Sequence, residues 1–242
     1  GRADGSDEGA GRVGQAMIPF LLSSAVLQVR TEQPKRPPAP EPRYFDANAS
    51  AAVKRALRRY ASLGGIQVLV QGGGASARIW VDGLKFAERS GGRSWAHSGG
   101  TLQVLDRRGQ WFRGKAVRAE VMDYAVWAGY PVDPMMRALL VRRNPVREFF
   151  EKGQTARSVG TVAIRGKMAR LVEISGPAER FTLLIRADGL LASVASESLE
   201  NGRSISRSER RFTYERIGPI PASAFQLGRP GQRANPLPKI GG

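Results

Sequence analysis

Chemistry needs nucleophiles, acid–base groups or metal ligands at workable spacings, and this chain is poor in all three. Its 242 residues include one histidine and no cysteine. Without cysteine there are no disulfides, thiolate zinc sites, iron–sulfur clusters or thiol catalysis, and no lipid anchor on a cysteine. A lone histidine excludes a multi-histidine metal site. His97 stands in the turn-like His97-Ser98-Gly99-Gly100 with no nucleophile beside it, so it reads as a surface histidine rather than a general base. Asp46, Asp82, Asp106, Asp123, Asp133 and Asp188 fall mostly in turns or at helix caps and suggest neither a metal site nor a glycosidase pair. Gly72-Gly73-Gly74 lacks the Gly-Lys-Ser/Thr of a phosphate loop and reads as a hairpin turn. The expectation is a non-enzymatic protein with no catalytic residues, metal or cofactor.

What remains to explain is charge. The formal net charge is +17, with 38 Lys and Arg against 21 Asp and Glu. Nucleic acid, anionic lipid and acidic protein surfaces all attract such a chain; a genome that favours arginine, with charge serving only solubility, is the plainer alternative. The stretch Arg207–Arg216 interleaves basic residues with aromatics, as nucleic-acid binders do. Strand alternation explains it as well, with Phe212 and Tyr214 inward and Arg211 and Thr213 outward. Nucleic acid is therefore the remote alternative.

The elements that would position any site follow in order. The first residue is not Met, which reads as a fragment or a misplaced start. Ala16–Val29 carries no charge over 14 residues and spans only about 21 Å, short of a ~30 Å hydrocarbon core. With Ser23 and Ala25 as small residues at a cleavage-like site, residues 1–29 read as an export signal or single anchor; a buried core helix is the alternative. Residues 30–43 hold five prolines and read as an extended linker. Asn48 or Ser50 can cap a helix over Ala51–Leu63, ended by Gly64-Gly65. From Ile66 the apolar period changes to two. IQVLV, ARIWV, LKFAE, TLQVLD and QWF alternate with GGGAS, DG, SGGRS, HSGG and DRRG, the pattern of an antiparallel meander.

Ala116–Leu140 turns helical again, with an apolar stripe through Val117, Val121, Tyr124 and Ala128, then Met135, Met136, Leu139 and Leu140 after a proline break. Val146–Lys152 adds a short helical turn. The last third is again strands, with Asp188-Gly189 and Asn201-Gly202 as hairpin turns. Phe181, Leu183 and Ile185 share one face, as in a sheet with one buried side. The Gln226–Gly242 tail has three basic residues, three prolines and no acid, so disorder is expected there. Helix, strands, helices, strands is an α+β order: one curved antiparallel sheet with helices on one face.

In the C-terminal half, Gly160-Thr-Val-Ala-Ile-Arg-Gly166 precedes an apolar strand, followed by RFTLLIRADGLLASV and then NGRSISRSERRFTYERIGPIPASAFQL. This order resembles the outer-membrane lipoprotein carrier, or LolA-like, superfamily. The matching positions are Asp188, Gly189, Leu190, Tyr214, Ile220, Pro221 and Phe225. The helix Ala51–Leu63, LKFAERSGG and GGTLQVLDRRGQWF are similar as well, and the resemblance spans roughly Tyr44 to Leu227. It implies an incomplete β-barrel whose concave face is covered by helices, in a cell-envelope protein that takes up acyl chains of lipids or lipoproteins. Periplasmic or otherwise exported localisation follows, with residues 16–29 as a candidate inner-membrane anchor. Some relatives are instead lipid-sensing regulators that act on an envelope membrane-protein partner. Lack of cysteine departs from the lipid-anchored members, and Arg78, Arg89 and Arg93 all fit the strand arginine that holds the lid.

The expected organisation is thus 1–29 export signal or anchor, 30–43 linker, 44–227 lipid-binding domain and 228–242 basic tail. The expected acyl-chain contacts are Trp80, Phe86, Trp95, Leu102, Val104 and Trp111 from the strands. Tyr124, Trp127, Met135, Met136, Leu139 and Leu140 are expected from the covering helices. Methionine suits promiscuous binding because its side chain reshapes readily.

Overall fold

Alternation of apolar and polar residues builds one open sheet. The computed structural model describes residues 43–44, 46–117, 120–129, 144–150, 154–228 and 232–240. The first meander comprises β2 (Gly65–Gly72), β3 (Ala75–Asp82), β4 (Lys85–Ser90), β5 (Arg93–Ser98), β6 (Thr101–Leu105) and β7 (Trp111–Lys115). The second comprises β8 (Thr155–Ile164), β9 (Lys167–Ser175), β10 (Glu179–Ile185), β11 (Leu191–Glu200) and β12 (Arg203–Ile217). Pairing of β12 with β2 joins the two meanders antiparallel, with Phe212 opposite Val70 and Tyr214 opposite Val68. Two short strands, β1 (Arg43–Tyr44) and β13 (Asn235–Pro236), pair in parallel with β8 and β7 at the two edges. The order β1-β8-β9-β10-β11-β12-β2-β3-β4-β5-β6-β7-β13 does not close. The result is the expected curved α+β half-barrel.

Hairpin turns hold the strand register. Gly73-Gly74 and Asn201-Gly202 both have two successive positive φ angles (59° and 76°; 51° and 75°), the geometry whose twist suits adjoining antiparallel strands. The meander contains one strand more than the alternation in the sequence suggests. β5 lies in Arg93-Ser94-Trp95-Ala96-His97-Ser98, where Gly-rich turns on both sides leave a short alternating core.

On the concave side Ile66, Val68, Ile79, Phe86, Trp95 and Leu102 from one half join Val172, Ile174, Leu183, Ile185, Val194 and Phe212 from the other in a single cluster. Helix α1 (Ala47–Ala61) covers the β8–β10 end through Ala49, Ala52, Val53, Ala56 and Tyr60. Its alanines let the helix backbone approach the sheet closely. The N-cap is Asp46, not Asn48 or Ser50, and the helix begins four residues earlier than its apolar period indicates. A cap near the chain's entry to the sheet can do a second job. One Asp46 oxygen accepts from the Ala49 amide at 2.6 Å and the other from the Ser158 amide of β8 at 2.7 Å. The Ser158 amide and then that of Ala49 hold this carboxyl below its ordinary value.

Within the expected helical stretch Ala116–Leu140 the described residues form α2 (Val121–Trp127), while residues 118–119 and 130–140 lie outside the described residues; a 3₁₀ turn capped by Asn144 occupies Pro145–Phe149. The expected disordered tail instead supplies β13, and its Leu237 and Ile240 pack onto the concave cluster. Residues 1–42, including the Ala16–Val29 segment and most of the linker, lie outside the described residues, as do Met135, Met136, Leu139 and Leu140.

Tyr60 and Tyr214 bridge α1 to the middle of the sheet through a hydroxyl–hydroxyl hydrogen bond, and the Leu191 amide donates to Tyr60 Oη at 3.3 Å. Burial pushes the Tyr60 phenol up to about 12 and that of Tyr214 well above its ordinary value. Unfolded phenols ionise near pH ~10. The tyrosine contribution is therefore whole below that pH and is lost as pH rises through the folded values, because the unfolded chain releases its protons first. Absorbance titration should find at least two of the five tyrosines protonated past the ordinary range until the fold melts. Tyr214→Phe should cost about 1–2 kcal/mol in urea unfolding, since the buried Tyr60 hydroxyl loses its side-chain partner and keeps only the Leu191 amide.

Candidate functional site

The register decides which predicted residues can meet. Phe86 faces His97 across β4 and β5, His97 faces Leu102 across β5 and β6, and Trp95 faces Val104. Phe86, Trp95, Leu102 and Val104 therefore line one patch of the concave face, with the Phe86 and Trp95 ring centroids 4.7 Å apart. From above, α2 brings Tyr124 into the same cluster and sets Trp127 edge-on to Phe112 at 5.1 Å. Phe112, an aromatic residue of the QWF strand segment, also packs on this patch.

Trp80 and Trp111 stand on the opposite, outer face. Trp80 pairs with Ala87, and Ala87 with Ala96; all three pack under Ile220 and Phe225 in a separate cluster. A 3₁₀ turn, Ala222–Phe225, covers this patch. Trp111 pairs with Leu105 and lines an outer groove of about 870 Å³ with Arg89, Leu105 and Leu227. Aromatic residues on adjacent strands cannot be assigned to a face without the register, because a shift of one residue exchanges the faces.

Polar groups on the concave side went unseen in the sequence. Glu88 is 1% exposed and its Oε2 accepts from the Trp95 indole at 2.8 Å. A carboxylate in an apolar wall requires such donors, since desolvation without them is costly. Recognition of β5 would have shown Glu88 opposite Trp95. His97 is 7% exposed rather than on the surface, and its Nε2 lies 3.2 Å from the Ala116 carbonyl. Among the described residues no group of three His, Asp or Glu could hold a metal ion.

The three arginines that fit a helix-holding role separate cleanly. Arg78 makes a two-pronged ion pair with Glu215 at 2.7 and 2.8 Å, with the Arg78 guanidinium holding the Glu215 carboxyl below its ordinary value. Arg89 lies over the Trp80 ring at 5.0 Å on the outer face. Arg93 reaches the helix: its Nη1 donates to the carbonyl of Gly129, just past the end of α2, where Arg107 Nη2 also donates at 3.0 Å. Two guanidinium groups at a helix C-terminus satisfy an otherwise free carbonyl and favour the helix dipole.

No protein family matches the sequence, and no curated protein does. Solved structures similar to this chain include the lipoprotein LppX of Mycobacterium tuberculosis, 15% identical over 73% of this chain and 98% of that one, with a TM-score of 0.46. LprF from Mycobacterium bovis is 12% identical, with coverage of 73% and 97% and a TM-score of 0.47. A chain of the MucA/MucB complex of Pseudomonas aeruginosa is 17% identical, with coverage of 75% and 62% and a TM-score of 0.42. Among the described residues no helix is long and apolar enough to cross a membrane.

Loss of the Arg93 tie should act on α2 before it acts on the sheet. Arg93→Ala is expected to speed hydrogen exchange across residues 121–129 at least tenfold while leaving β8–β12 unchanged. Equal acceleration in both regions would show that Arg93 supports the whole fold rather than the helix.

Proposed function

We propose that this chain is a non-enzymatic cell-envelope protein that holds acyl chains of a lipid or lipoprotein between its concave sheet and covering helices, as a carrier. The observation behind this reading is the cover that the described residues leave incomplete at the β6–β7 end. Val117, Val126 and Trp127 are 63%, 57% and 41% exposed, and Trp127 stands beside half-buried Phe112 at the margin of a continuous apolar face. Exposed apolar groups grouped around a concave apolar surface mark a place where another apolar body docks. At about 0.8 kcal/mol per buried methylene, a 16-carbon chain offers on the order of 10 kcal/mol before ordering costs, enough to hold cargo.

Export is part of the same reading, with residues 1–29 as signal or anchor and 30–43 as linker. The net charge of +17 suits anionic envelope lipid or an acidic membrane-protein partner that gives or receives the cargo. Residues 44–227 form the lipid-binding unit in this reading, with Phe86, Trp95, Leu102, Val104, Tyr124 and Trp127 nearest the chain.

Purification from an exporting host, followed by native mass spectrometry and lipid extraction, should find an acylated ligand at one per chain. An empty, stable, monodisperse protein would overturn the carrier reading. Trp127→Asp should lower retained lipid at least tenfold with the circular dichroism of the sheet unchanged; full lipid content in that folded variant would remove Trp127 from the site.

A further inference from the structure

The C-terminal segment occupies both faces of the sheet. On the outer face the Leu227 amide donates to Gln103 Oε1 at 3.1 Å, and Gly228 lies so close to Trp111 that a Cβ there would stand 2.9 Å from its ring. Beyond it, Asn235 and Pro236 pair with Phe112 and Arg113 along the β7 edge. Leu237 and Ile240 then pack on the concave cluster. The chain has passed round the edge strand from one face to the other.

Its landing place is specific. Gly114 sits opposite Leu102 in the β6–β7 ladder. A Cβ on Gly114 would meet Leu237 Cδ1 at 3.0 Å and Cγ at 3.1 Å, so the missing side chain is the notch that Leu237 fills. The Tyr124 hydroxyl donates to the Pro238 carbonyl at 3.1 Å. Leu102 and Tyr124 are thus both residues of the candidate acyl site and neighbours of the tail.

We propose that Leu237–Ile240 is an intramolecular occupant of the acyl site, covering the β7 end when the protein is empty and leaving when an acyl chain enters. This rests on the acyl-binding reading above and adds the regulation of that site. Among the described residues, Asn235–Ile240 is attached in ways that suit a displaceable element: a ladder of two residues, the Tyr124 hydroxyl bond and two partly buried aliphatic side chains. An acyl chain can replace the aliphatic contacts in kind. Lys239, between them, is exposed. An empty carrier needs such a cover, because a bare apolar face invites self-association.

The test is binding of a pyrene-labelled fatty acid to the full chain and to a Leu237→Ser, Ile240→Ser double variant. A face covered about nine-tenths of the time weakens apparent affinity about tenfold, so the variant should bind about ten times more tightly. Equal or weaker binding by the variant, with the unaltered chain still binding, overturns the tail's role and leaves the carrier reading standing. Binding by neither protein overturns both. Hydrogen exchange on the unaltered chain gives an independent readout that needs no variant. Saturating fatty acid should accelerate exchange in residues 232–240, and unchanged or slower exchange there overturns the proposal.

Discussion

An open sheet with an apolar concave face must have that face covered, and every other part of this structure answers to that requirement. Period-two alternation commits each strand to one apolar side. Curvature of the sheet gathers these sides into one surface. Closure into a full barrel would bury it by itself, but β1 and β13 end the sheet at separate edges. Cover must therefore come from elements outside the ladder. Helix α1 shields the β8–β10 end with small residues, while α2 and the C-terminal tail share the β6–β7 end. The two ends differ in kind among the described residues. At one, an alanine-rich helix of 15 residues lies close to the sheet; at the other, the described cover is a helix of seven residues with Trp127 and Val126 exposed.

Polar groups hold the covers in place because apolar contact has no direction. Asp46 serves as cap and as strand partner, so the start of α1 is referenced to β8 by two charge-assisted hydrogen bonds. Tyr60 and Tyr214 reference the far end of α1 to β12 and β11. Arg93 and Arg107 do the same for the end of α2. Each tie joins residues distant in sequence and uses a donor or acceptor that would otherwise be stranded. Glu88 and Trp95 follow the same logic within the wall itself, where the indole N–H gives the buried carboxyl group a hydrogen-bond donor.

The outer face carries a lesser apolar patch with its own cover, the turn Ala222–Phe225 over Trp80, Ala87 and Ala96. The Arg78–Glu215 pair on this face is partly exposed to solvent and contributes about 0–1 kcal/mol. The outer turn also positions the chain for its passage round β7, so the two covers are consecutive parts of one C-terminal segment.

Fold class, both meanders, their turns and the first helix were legible in the sequence, because alternation, Gly-containing turns and helical spacing are local signals. The sequence also named Phe86, Trp95, Leu102, Val104, Tyr124 and Trp127, but together with Trp80 and Trp111 and without a way to tell the two faces apart. The helix cap was misplaced because Asp46 and Asn48 are equally good cap residues, and only contact with β8 selects between them. Trp80 and Trp111 looked like their neighbours because facing depends on register and on the unrecognised strand β5. His97 was misread for the same reason. The tail looked disordered because proline and basic residues cannot form a core alone, whereas the notch at Gly114 and the Tyr124 hydroxyl give Leu237 and Pro238 a place to bind. The sequence by itself determined which segments alternate and where they turn; tertiary structure decided which face each aromatic joins and what covers it, since those outcomes depend on pairings between residues far apart in the chain.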